Sequence, residues 1–211
     1  MNLTNKQKYI RRTLQKSYLE KKSIPNYLVE NIQIKAPMKF DLLNNSDESI
    51  CFFNNIINFI KIHKDDNIPY RINILLNDIT HITVETIMYL IALSNNSSKW
   101  KNIRFNVILP KDNNLCNLIL STGIHNYMAH SQVNIPETDK YFYVRHGDIL
   151  NKEIARKICD FVNEILKKDR IYSKFLYDML VEMMINTADH AYNSNSNIFD
   201  KKWYVCVEDS D

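Results

Sequence analysis

The side chains best placed to do chemistry lie in residues 175–193, FLYDMLVEMMINTADHAYN. Glu182, Asn186 and His190 recur at every fourth position. On a helix they form one polar stripe, with Asp189 beside it. Phe175, Leu176, Met179, Leu180, Met183, Met184 and Ala188 give the same helix a broad apolar face. Polar groups bordering such a face are costly unless they meet partners. The spacing therefore asks for a polar neighbour or ligand against the stripe. The plain alternative is the solvated edge of an amphipathic helix.

Downstream, after a loop of Asn and Ser, WYVCVEDSD reads as a strand leading to Asp209. Other chemistry is harder to assemble. The chain has two glycines, Gly123 and Gly147. Phosphate-cradling loops need glycines at fixed offsets so that backbone N–H groups can approach the anion. A Walker loop and a dinucleotide fingerprint are thereby excluded from this sequence. His63, His81, His125, His130 and His146 are scattered, and Cys51, Cys116, Cys159 and Cys206 lie far apart. Neither set has metal-ligand spacing. No Ser-His-Asp or Cys-His arrangement emerges.

The pattern Glu182-x-x-x-Asn186-x-x-x-His190-Ala191 resembles the N-box of the GHKL ATPases, the group of histidine kinases, gyrase-type topoisomerases, heat-shock and mismatch-repair ATPases. The resemblance implies that the Asn186 oxygen binds Mg²⁺ bridging the phosphates of ATP, as suits a hard ion that keeps several waters. It implies that Glu182, one turn earlier, orients or deprotonates an attacking water, or serves a transfer reaction; the residue type does not choose. Asp189 and His190 would stand near the phosphates or hold the helix. Asp209 matches the family's aspartate that accepts a hydrogen bond from the adenine amino group. Asp211 stands where that family's first glycine is expected. The chain is thus expected to be the N-terminal portion of such a protein, inactive as it stands.

These positions need elements to hold them. A long helical pattern runs from Asn151 through Ile158 and Ile165 to Lys168, and a second from about Tyr172 to Tyr192. Upstream, Ser49–Lys64 has helical spacing, Arg71–Leu76 reads as a strand, Thr83–Leu93 as a helix and Ile103–Leu109 as a strand. Leu115–Leu120 reads as a short helix ending near Gly123. Strands alternating with helices imply an α/β layer with a partly parallel sheet. From Phe40 to Met128 this order resembles the STAS domain, the fold of anti-sigma-factor antagonists. That resemblance makes Thr83, with Thr80 nearby, the match to the family's phosphorylation site. Capping of the following helix is the simpler role for either.

The expected fold is α/β: a STAS-like mixed sheet with helices, followed by a partial GHKL α/β sandwich. The expected organisation is a basic helical extension and connector over 1–39, a STAS-like domain over 40–130, a linker over 131–148 and the GHKL portion over 149–211. Residues 1–24 read as a basic helix ending before Pro25, and residues 25–48 as an irregular or extended connector. Lys140–His146 reads as an edge strand. The formal net charge of +3 is too mild to argue for nucleic acid. No apolar run reaches the length of a membrane span, and free cysteines suit a reducing compartment. A cytoplasmic protein is expected, with a regulatory partner on the STAS-like half and a homodimer as an option. The rival reading is a non-catalytic interaction module; a third has the basic N-terminus contact nucleic acid.

Overall fold

A computed structural model of the chain describes residues 29–96, 100–128, 141–166, 170–190 and 202–208. The basic segment 1–24 and Asp209 lie outside the described residues. The chain is mixed α/β. Its elements are β1 (Glu30–Lys35), β2 (Lys39–Phe40), α1 (Ser46–His63), β3 (Tyr70–Leu75), β4 (His81–Ile82), α2 (Val84–Asn96), β5 (Ile103–Ile108) and α3 (Asn113–Ser121). A single 3₁₀ turn at Ile124–Asn126 precedes β6 (Tyr141–Gly147), α4 (Lys152–Leu166), α5 (Arg170–His190) and β7 (Trp203–Glu208). Among the described residues no helix is long and apolar enough to cross a membrane.

The first sheet is parallel, in the order β1-β3-β5, with Ile32, Ile72 and Phe105 in one row and Ile34, Ile74 and Val107 in the next. Strand alternation sends these side chains to one face. There they meet Phe52, Phe53, Ile56 and Ile60 of α1 and Ile87, Leu90 and Ile91 of α2. The opposite face carries Arg71, Asn73, Arg104 and Asn106, none of them buried. The sequence predicts an irregular or extended connector over 25–48, but Glu30–Lys35 is an edge strand of this sheet. With only Ile32 and Ile34 facing the core, its periodicity is too short to register in the sequence. The two-residue pair β2 and β4, also parallel, escaped for the same reason.

Local chemistry fixes the corners. Asp41 is buried and accepts from the backbone N–H groups of Leu43 (2.8 Å) and Asn44 (3.0 Å) and from the Asn44 side chain (2.8 Å). His81 Nε2 lies 3.3 Å from it. The Asn44 bonds, backbone first, then those from Leu43 and His81, outweigh burial and hold its pKa down to about 2. Ser49 donates to the Asp41 carbonyl and accepts from its N–H, tying the start of α1 to β2. Asp112 caps α3 by accepting from Leu115 N at 2.9 Å. Gly123 follows that helix with φ 79°, a conformation that favours glycine.

β6 and β7 form a second, antiparallel sheet that has a core on each side. Val144 is buried in the first core, with Tyr204 and Cys206 packed against it. Trp203, Val205 and Val207 face the other way, onto Ala155, Ile158 and Cys159 of α4 and Leu180 and Met184 of α5. One strand with period two thus serves both cores. Polar contacts fasten the junction. Val144 N donates to Thr122 O at 3.1 Å, Tyr127 Oη donates to Val144 O at 3.1 Å, and Asn95 Nδ2 donates to Tyr204 Oη at 3.1 Å.

Candidate functional site

α5 is held by its inward face. Leu180 and Met184, one turn apart, are buried against β7 and α4, with Leu176, Tyr177 and Val181 packed around them. Asn163 Nδ2, in the last turn of α4, donates to Ser173 Oγ in the first turn of α5 at 2.7 Å. The broad apolar face read from sequence is only half used. Phe175 (69% exposed) and Met179 (42%) lie on the outer side, and Met183 (59%) lies between that side and β7.

Glu182 and Asn186 stand on that outer side and are exposed. The Asn186 Nδ2 donates to Glu182 Oε1 at 3.3 Å. With its nitrogen turned to the carboxylate, the amide leaves Oδ1 as the acceptor directed elsewhere. The donor set is one neutral amide oxygen beside one carboxylate, a turn apart. This fits an ion that takes one or two protein oxygens and completes its octahedron with water and phosphate. Asp189 and His190 belong to the last turn of α5. Among the described residues no group of three or more His, Cys, Asp or Glu is placed to hold a metal.

A cleft of about 270 Å³ lies between α5 and the start of β7. Leu180, Met183, Met184 and Thr187 form one wall and residues 202–205 the other. At 100° per residue, the Glu182–Asn186 stripe sits roughly 130° around the helix from the middle of that wall. The stripe and the cleft are therefore on different sides of α5. The cleft also opens near Trp203, the first residue of β7. From there β7 runs six residues, roughly 20 Å, to Glu208.

Two groups outside α5 were not singled out in the sequence. His63 Nδ1 and Tyr70 Oη both meet Asp66 Oδ2, at 2.8 and 2.7 Å, and the Phe59 ring lies 4.4 Å from the His63 ring. The bonds from His63 and then Tyr70 lower the Asp66 pKa, while the bond to Asp66 pushes Tyr70 up to about 12. Asn102 Nδ2 donates to the carbonyls of His63 and Asp66 at 2.8 and 3.1 Å. This cluster closes the α1–β3 turn. His146 lies between Tyr127 and Tyr204, with ring centroids 5.6 Å away on each side, and burial depresses its pKa. Neither group has a sequence signature, because its members meet only through the tertiary fold.

Ahead of α2, the Thr83 carbonyl accepts from Ile87 N at 3.1 Å. Its hydroxyl lies 3.0 Å from that of Thr86, which is itself buried and accepts from Leu42 N. Thr80 is exposed and donates to Met38 O at 3.2 Å. Comparisons of the chain with protein-family models, curated proteins and solved structures give no match.

Proposed function

We propose that the chain is the N-terminal portion of an ATP-binding regulatory protein of GHKL type, with a STAS-like half that engages a protein partner. The observation that carries this reading is the outer face of α5. It presents the exposed Glu182–Asn186 pair, the amide nitrogen turned to the carboxylate, next to exposed Phe175, Met179 and Met183. A helix that leaves such apolar surface beside a polar pair is one wall of a site that another element roofs.

In this reading Asn186 contributes one oxygen to Mg²⁺, which, when bound, neutralises phosphate charge. Glu182 holds the Asn186 amide in orientation and accepts a proton from water or an acceptor hydroxyl. Asp209 recognises the adenine amino group, and Asp189 and His190 support the phosphate end of the helix.

Titration calorimetry with Mg-ATP, on this chain and on a product extended beyond Asp211, tests the proposal. Binding by the extended product that Asn186→Ala weakens at least about tenfold is the expected result. An extended product that ignores ATP, or binds it equally well as Asn186→Ala, refutes it. The second reading is a non-catalytic interaction module. The same exposed Phe175, Met179 and Met183 favour it, since such a stripe on a helix also docks partners. It predicts that substituting these three abolishes partner binding while Asn186→Ala leaves it intact.

A further inference from the structure

The parallel sheet has helices on one face alone among the described residues, although parallel sheets are ordinarily covered on both. What lies on the open face is ordered in three rows. The first is Asn31, Arg71 and Arg104, adjacent across the strands. Arg71 and Arg104 are directly opposite each other, with strands about 4.8 Å apart. Both are exposed, and neither has a hydrogen bond or ion pair among the described residues. Like charges facing each other across a sheet destabilise it.

The second row is Gln33, Asn73 and Asn106, where Asn106 Nδ2 donates to Asn73 Oδ1 at 3.0 Å. The third is Lys35, Leu75 and Ile108; Lys35 is already paired with Asp78 at 2.8 Å, and Ile108 is 42% exposed. Among the described residues the face thus grades from unpaired cations through amides to Leu75 and Ile108 beside the Lys35–Asp78 pair. At two residues per row the gradient covers roughly 13 Å, the length of two to three helical turns.

We propose that this face docks an acidic amphipathic helix of a partner protein, completing a second layer over the sheet. Carboxylates in the helix's first turn pair with the Arg71 and Arg104 guanidiniums, which take carboxylates bidentately. Polar side chains in its middle meet the amide row, and apolar ones at its end cover Leu75 and Ile108. Residues 1–24 of the same chain do not suit this role, since they carry Lys6, Lys8, Arg11, Arg12, Lys16, Lys21 and Lys22. Single-stranded nucleic acid does not suit it either. Its binding surfaces stack bases on aromatic rings, and none of the three rows contains one.

The experiment uses the full chain and a synthetic helical peptide of about three turns. The peptide carries Glu on one face of its first turn and Leu on the same face of its last. Oligothymidylate is the competing probe. NMR shifts confined to β1, β3 and β5, with affinity about tenfold weaker in Arg71→Glu/Arg104→Glu and partly kept in Arg71→Lys/Arg104→Lys, are the expected result. Both positions are exposed, so an unchanged thermal melt confirms that the variants fold. The proposal is overturned by no peptide binding at about millimolar concentration, by shifts elsewhere on the molecule, by an unchanged affinity in the Glu variant, or by oligothymidylate binding the same arginines more tightly.

Discussion

Gly147→Ala turns on a single close approach. A Cβ built at Gly147 would lie 2.5 Å from Trp203 Cζ2, 2.9 Å from Cε2 and 3.3 Å from Cη2. Carbon atoms pack at about 3.5–4.0 Å, so the indole and the strand must separate by roughly 1 Å. The ring has little room to move. Trp203 is 5% exposed, packs in the second core, and donates from Nε1 to Ile149 O at 2.9 Å. Overpacking of this kind costs about 1–3 kcal/mol. Replacing a glycine narrows the unfolded ensemble and offsets about 0.4–1 kcal/mol. The net is a loss of about 1–2 kcal/mol, or a Tm lower by roughly 2–8 °C for a chain of this size. Thermal melts followed by circular dichroism measure it, with Gly147→Ala in a Trp203→Phe background as control. The smaller ring removes the clashing atoms, so alanine should cost less there. The two explanations differ in sign: without the clash, alanine in a strand raises Tm. A Tm equal to or above the parent refutes the packing argument.

Three further outcomes follow from burial and charge. Leu180→Ala should destabilise by about 2–5 kcal/mol through the cavity it leaves, whereas exposed Met183→Ala should stay within about 0.5 kcal/mol; urea melts of the two compare them directly. Asp41 is ionised in the folded state down to about 2 against an ordinary value of 3.8. A depressed folded pKa gives stability that is full above the unfolded value and lost as pH falls toward the folded one. Acid titration between about pH 4 and pH 2 should therefore show a flatter decline in Asp41→Asn than in the parent, and parallel curves would remove Asp41 from the account. Thiol alkylation followed by mass spectrometry should label exposed Cys51 first and buried Cys159 last, since burial, then Asp160, raises the Cys159 pKa; early labelling of Cys159 would contradict its place in the core.

Periodicity carried most of the fold. The helical spacing of Phe53, Ile57 and Ile60 marked α1, and the apolar runs around Ile72 and Phe105 marked β3 and β5, because each element is long enough to repeat its pattern. β1 shows only two inward apolar residues, and β2 and β4 are two residues each, so no pattern could build. The site was legible in another way. Four-residue spacing placed Glu182 and Asn186 together, and they do meet at 3.3 Å. It could not say which side of α5 is covered, because Leu180 and Met184 look no more apolar than Phe175, Met179 and Met183. Burial of one set and exposure of the other follows from β7, whose alternate residues Trp203, Val205 and Val207 select the face they touch. The same strand's service to two cores was invisible in WYVCVEDSD, since both of its faces are apolar.

Mn²⁺ in place of Mg²⁺ tests the Asn186 assignment most directly, because a paramagnetic ion broadens NMR signals according to distance. With ATP present in the product extended beyond Asp211, the side-chain NH₂ signal of Asn186 and the amides of the adjacent turn of α5 should broaden first. They should do so only when nucleotide is added, and Asn186→Ala should abolish the effect on that turn. Broadening that is independent of ATP, that centres on another part of the molecule, or that persists around residue 186 in Asn186→Ala would contradict the account.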